Sequence, residues 1–251
     1  MRNAPTSFNR KDMINSIQVI HTGSKGNCCV IWDSQENGLL IDLGVSFPKV
    51  NKSIEYKISH ICGAVVSHVH KDHAEYIPVF ASNSVEVYSN ANVREKYPEC
   101  RLLGRRNTIG AFTVFPMSVP HDVPCEAFLV KTSDDVRILY ITDTSGMKWL
   151  CKRVNYLIIE CNYDADTIID RKYNENYMTG SKYFNHSSLE TCLDYIENMD
   201  KSELKGVILW HSSSTNLNKA RAKEAAMRAA GIDNVVLAKS NLIMNMIDDN
   251  F

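Results

Sequence analysis

Apolar and polar positions alternate along the chain in short runs separated by polar turns. After a polar opening at 1–16, β-branched apolar runs at 17–20 (IQVI), 28–32 (CCVIW) and 39–44 (LLIDLG) read as strands. Asn37-Gly38 lies between the last two and predicts a tight hairpin. AVVSH at 64–68 reads as a buried strand, followed by a polar loop and a helix from about Ala74. Further strands are predicted at 85–89, 111–119, 126–132, 137–144 and 156–162, with Ser133-Asp134-Asp135 as turn chemistry. The last third alternates between helix and strand. A helix at 187–199, capped by Ser187 or Ser188, precedes a strand at 206–211. An alanine-rich helix at 218–230 stops at Gly231, and VVLA and LIMNMI close the chain as strands.

No internal repeat or long linker interrupts this order. Strands dominate the first half with helices between them, which predicts an α/β fold of two sheets covered by helices. The expected organisation is a polar leader at 1–16, its order left open, and one domain over 17–251.

Composition adds limits rather than a function. A chain of 251 residues, 44% hydrophobic and 23% charged, is long enough for one sizeable core. The net charge of -1 supplies no long-range pull on a polyanion, so such a substrate must be held locally. No apolar run approaches the roughly 20 residues of a membrane span. The opening residues are not of signal-peptide type, and a cytoplasmic protein off the membrane is expected. The eight cysteines form no C-x-x-C pair, and adjacent Cys28 and Cys29 point to opposite strand faces. Buried free thiols in an intracellular setting are the expectation.

Candidate chemistry is concentrated at Ser67-His68-Val69-His70-Lys71-Asp72-His73, directly after an apolar strand. Three imidazoles and a carboxylate within six residues are donors for zinc and similar divalent ions. His68 and His70 are expected to share a strand face at period two, with Asp72 and His73 turned toward a second position. Other donors end other apolar runs: Asp42 after LLI, His121 after 111–119, Asp143 after ILYIT and His211 after GVILW. One such residue would be a turn former, but together they predict a metal centre.

The H-x-H-x-D-H pattern resembles the metallo-β-lactamase superfamily, and in particular its YycJ/WalJ-like branch near the small phosphodiesterases and RNase Z. Matching stretches are HTGSKGNCCVI (21–31), LLIDLG (39–44), VVSHVHKDH (65–73), VPHD (119–122) and ITDTSG (141–146). IIECNYD (158–164), NHSSLE (185–190) and ILWHSS (208–213) continue the resemblance, which runs from about Ile17 to about Asn241. It implies a four-layer αββα sandwich with the site at one edge of two sheets. On matching positions, His68, His70 and His121 would bind one metal. Asp72, His73 and His211 would bind the second, Asp143 would bridge both, and Asp42 would orient the motif loop from beneath. Zinc is the expected metal and manganese the runner-up.

The implied reaction is hydrolysis of a phosphodiester by hydroxide bridging two ions about 3.5–4 Å apart. His186 resembles the proton donor of RNase Z-like enzymes, Glu160 the acidic residue orienting it, and Asp72 joins them as a catalytic residue. His21 and His60 match no motif position and are read as structural or surface residues. The 68-residue interval from Asp143 to His211 leaves no room for a large inserted nuclease domain.

The branch implies an exonuclease on DNA. Arg101, Arg105, Arg106, Lys148, Lys152 and Arg153 are candidate backbone contacts, although ordinary surface charge is the simpler explanation of them. A cyclic-nucleotide phosphodiesterase, a thioester or lactone hydrolase and a non-catalytic metal-stabilised binding module remain open. So does assembly as a homodimer.

Overall fold

The computed structural model describes residues 14–148, 150–165 and 185–246. Most of the expected leader lies outside these residues, but Ser16, its last position, opens the first strand. That strand, β1 (Ser16–His21), pairs antiparallel with both β2 (Cys28–Trp32) and β14 (Leu242–Asn245). One sheet continues through β3 (Gly38–Ile41), β4 (Ile61–Val66), β5 (Val87–Ser89) and β6 (Arg101–Leu102), in the order β14-β1-β2-β3-β4-β5-β6. The other contains β7 (Asn107–Ile109), β8 (Phe112–Val119), β9 (Cys125–Lys131) and β10 (Arg137–Ile141). It is completed by β11 (Tyr156–Glu160), β12 (Gly206–Trp210) and β13 (Val235–Leu237), in the order β13-β12-β11-β10-β9-β8-β7.

Period-two patterning sorts the side chains into layers. In β2, Cys29 and Ile31 face the other sheet and meet Phe128, Tyr140, Ile158 and Trp210. Cys28, Val30 and Trp32 face outward, into an apolar layer shared with four short helices. These are α1 (Phe47–Ser53), α2 (Lys71–Ala74), α3 (Ile77–Ser82) and α4 (Ala91–Lys96). The second sheet's outer face is covered by α5 (Leu189–Asn198) and α6 (Lys219–Ala230). Strands buried on both faces must be apolar at nearly every position, which explains continuous runs such as CCVIW and YLII. The result is the expected four-layer αββα sandwich.

Several local expectations change. The β2–β3 connection spans 33–37 and is organised by Asp33, whose Oδ1 accepts the Gln35 and Asn37 N–H groups. Gly38 therefore lies in β3 rather than at a turn tip, and a Cβ there would sit 2.8 Å from the Trp32 ring. The helix expected from Ala74 divides into α2, which begins inside the histidine motif, and α3. Pro116 lies within β8, beyond the Val114 position where pairing with β7 ends. It pairs with Phe128 of β9 but has no partner on the β7 side, and such an edge position tolerates the missing N–H. α5 and α6 start where Ser188 and Asn218 accept the Thr191 and Arg221 N–H groups, and α6 ends at left-handed Gly231.

All eight cysteines are free, six of them buried. No helix among the described residues is long and apolar enough to cross a membrane.

Candidate metal centre

β3, β4, β10, β11 and β12 finish at one edge of the sandwich, because β3–β4 and β10–β11–β12 are parallel sets. β8 also ends there, and the antiparallel β1–β2 connection lies at the same edge. Loops beyond the carboxyl ends of parallel strands can converge on a common crevice. Asp42, the 67–73 loop, His121, Asp143, Glu160 and His211 all lie at this edge.

The foundation is Asp42, which is fully buried. Its Oδ1 accepts the Ser67 N–H and hydroxyl, each at 2.8 Å. Its Oδ2 accepts the Tyr140 hydroxyl and His73 Nδ1, each at 2.7 Å. Donation from Nδ1 fixes the orientation of the His73 ring and turns Nε2 inward. The Asn27 amide reaches that Nε2 at 2.9 Å. Close packing reinforces the arrangement: a Cβ on Gly44 would lie 1.7 Å from the Asp72 carbonyl oxygen.

His68 and His70 do not share a strand face. β4 ends at Val66, so both project from the following loop. His68 Nε2 lies 3.1 Å from His70 Nδ1, and His121 Nε2 lies 3.3 Å from the same atom. These three nitrogens form one donor group, and Asp72, His73, Asp143 and His211 form a second. Asp143 lies between them. Its Oδ2 is 3.7 Å from His68 Nε2 and 3.2 Å from His73 Nε2, while its Oδ1 is 3.5 Å from His211 Nδ1.

Burial, then the neighbouring His73 charge, hold His68 well below the usual imidazole range. It is therefore neutral, the state in which an imidazole can bind a metal. Burial lowers His73 as well, but Asp143 and Asp42 outweigh it and hold this imidazole well above its ordinary value. Burial opposes ionisation of Asp143, yet His211 and His73 hold its carboxyl well below the usual range.

Glu160, the last residue of β11, is buried and makes four contacts. Oε1 meets His186 Nδ1 at 2.6 Å and His211 Nδ1 at 3.0 Å. Oε2 accepts the Thr144 and Ser187 N–H groups at 3.0 and 3.1 Å. The His186 and His211 rings stack with centroids 5.2 Å apart. Burial would lower His186, but its bond to Glu160 raises it to about 9. Glu160, Asp143, His186 and His211 also lie close enough to form a third donor group sharing members with the second.

The donor chemistry fits divalent cations. Nε2 of His211 is buried and has no hydrogen-bond partner among the described residues, with Asp72 Oδ2 at 3.9 Å. An orphaned imidazole nitrogen facing a carboxylate matches a site completed by a cation.

Sequence reasoning missed Asn27, Tyr140 and Asp122. Tyr140 looked like one more apolar strand residue, and its hydroxyl reaches Asp42 only through sheet stacking. Asp122 Oδ1 is 3.1 Å from His121 Nε2 and 3.6 Å from His70 Nε2, and its only sequence signal was adjacency to His121. The candidate basic residues do not form one patch. Arg101 and Arg153 pair with Glu86 and Glu203. Lys152 and Arg153 precede β11, at the opposite end of that strand from Glu160. Arg105, Arg106 and Lys148 are exposed. His60 is exposed beside Glu36, and His21 Nδ1 bonds the Gly26 carbonyl oxygen at 2.7 Å.

No protein-family model matches the chain. It is 26% identical over 174 residues to the exodeoxyribonuclease YycJ of Bacillus anthracis, covering 62% of this chain and 66% of that protein. The match thus spans just under two thirds of that relative. The metallo-β-lactamase fold protein YhfI of Bacillus subtilis superposes with a TM-score of 0.71 at 17% identity, covering 91% of this chain and 98% of YhfI. The short form of human tRNase Z superposes with a TM-score of 0.64 at 15% identity, covering 93% and 100% of the two chains. With its two stacked sheets and a donor-rich edge, the chain is a metallo-β-lactamase-fold protein.

Proposed function

We propose that the protein is a metal-dependent phosphodiesterase with two cation positions, acting as a nuclease on DNA. The observation that carries this reading is the buried Glu160 carboxylate, shared between His186 and the candidate ligand His211. His68, His70 and His121 would hold one cation, and Asp72, His73 and His211 the other, with Asp143 between. Zinc or manganese bound there would supply an activated water and neutralise charge on a phosphoryl oxygen.

The chain's own residues account for the remainder. Asp42 orients His73 through Nδ1, and Glu160 does the same for His211. Because His186 uses Nδ1 on Glu160, its protonated Nε2 is free to donate to a departing alkoxide. A phosphodiester leaving group needs that proton, whereas a thiolate leaving from a thioester does not. A non-catalytic binding module has no use for a protonated imidazole beside its ligands. The likeness to an exodeoxyribonuclease favours DNA as the substrate, and the likeness to tRNase Z agrees with phosphodiester chemistry.

Metal content and hydrolysis of bis-p-nitrophenyl phosphate test the proposal in wild type and Asp143→Ala. We expect about two metal equivalents in the wild type and a loss of activity of roughly a thousandfold or more in the variant. A protein that binds no divalent metal, or an Asp143→Ala variant of undiminished activity, overturns it.

A further inference from the structure

The β1–β2 connection, Thr22-Gly23-Ser24-Lys25-Gly26-Asn27, stands at the edge that carries the donor groups. Both of its ends are tied to the second group. Thr22 Oγ accepts the His211 N–H at 3.0 Å. Asn27 Nδ2 lies 2.9 Å from His73 Nε2, and the Asn27 N–H donates to the Asp72 carbonyl oxygen at 2.7 Å. Within the turn, Gly23 N–H donates to Asn27 Oδ1 at 2.8 Å and Gly26 N–H to the Gly23 oxygen at 2.9 Å. Gly26 has φ +133, and a Cβ there would sit 2.2 Å from the Gly44 carbonyl oxygen. The turn is therefore pressed against the residue that also abuts Asp72.

Its tip makes no hydrogen bond within the described residues and faces solvent. Ser24 and Lys25 are exposed, and neither their N–H groups nor their side chains have a partner among the described residues. At Gly23, φ is +107 and a Cβ would meet nothing within 4 Å, so this part of the turn is open to close approach. An ammonium, a hydroxyl and two backbone N–H groups on a braced turn match the chemistry of a phosphate. Little folding stability is gained from leaving them free.

We propose that the turn at 22–27 is a subsite for a phosphate flanking the one at the metal centre, with Lys25 as its cation. This rests on the phosphodiesterase reading and deepens it. A polynucleotide places a second phosphate beside the first, whereas a cyclic mononucleotide has only one. The subsite therefore selects nucleic acid.

The test is salt-dependent binding of a cleavage-resistant, phosphorothioate-linked single-stranded oligodeoxynucleotide, with and without a terminal phosphate, read by fluorescence anisotropy. Wild type, Lys25→Ala, Lys25→Arg and Lys223→Ala are compared, Lys223 being exposed on α6. Lys25→Ala should reduce the slope of log affinity against log salt by about 0.7, while Lys25→Arg retains it and Lys223→Ala leaves it unchanged. Loss with both oligonucleotides assigns an internal phosphate, and loss only with the phosphorylated one a terminal phosphate; either supports the subsite. No oligonucleotide binding by wild type, an unchanged slope in Lys25→Ala, or an equal fall in Lys223→Ala overturns it. A slope change at Lys25 in a protein that cleaves no phosphodiester would retain the subsite and reject the catalytic reading.

Discussion

A carboxylate removed from water is unfavourable unless partners replace its hydration, and Glu160 has four. Two backbone donors fix one oxygen, while the other is shared by two imidazoles of different proposed use. His186 keeps its proton because Glu160 is beside it, and the same carboxylate aims His211 Nε2 toward Asp72. In the metal-free protein, the His186 ring protons should titrate near 9 by NMR and move toward the ordinary value of about 6.5 in Glu160→Gln. Folding raises this pKa, so the stability it contributes is complete below about 6.5 and is lost as pH rises through about 9. An unchanged His186 titration in Glu160→Gln would show that the carboxylate does not hold the proton.

Three site residues depart from ordinary backbone geometry where the chain leaves a strand. Asp42, Asp143 and His211 have φ of 60°, 45° and 51°. The left-handed region is costly for residues other than glycine, and it persists where the surroundings over-determine it. Here it turns the backbone off β3, β10 and β12 so that donors point across the edge rather than along the sheets. Gly44 plays the complementary part, allowing the chain after β3 to touch the 67–73 loop. Gly44→Ala should cost about 3 kcal/mol in chemical denaturation, because its Cβ would enter the Asp72 carbonyl. The displaced loop should also bind less metal. Normal stability with full metal content would mean that the contact relaxes cheaply.

At the scale of the molecule, the two sheets supply different halves of the site. The first brings Asp42, His68, His70, Asp72 and His73, and the second brings His121, Asp143, Glu160 and His211. A cation bound across that junction would tie the sheets together and would stabilise only the folded state. At a metal concentration 100 times the dissociation constant, linkage gives about 2.7 kcal/mol. For a chain of this size that corresponds to a rise of roughly 5–10 °C in Tm, reversed by a chelator. A thermal transition indifferent to zinc, manganese and chelator would contradict a site shared between the sheets.

The layers and much of the donor list are written in the local pattern of the chain. Period-two alternation and continuous apolar runs reflect strands covered on one or both faces, so they are written locally. A donor immediately after such a run is equally local, which is why the motif histidines, Asp42, Asp143 and His211 were legible. Tertiary structure decided which donors meet and which atoms they present. The Tyr140–Asp42 bond spans 98 residues, and the bond from His211 N–H to Thr22 spans 189, so no local pattern records them. Glu160 was named only through the family resemblance, because an acidic residue at a strand end carries no local sign of burial. Only the packing of β11 between its neighbours, with the 144 and 187 N–H groups turned inward, makes its burial stable.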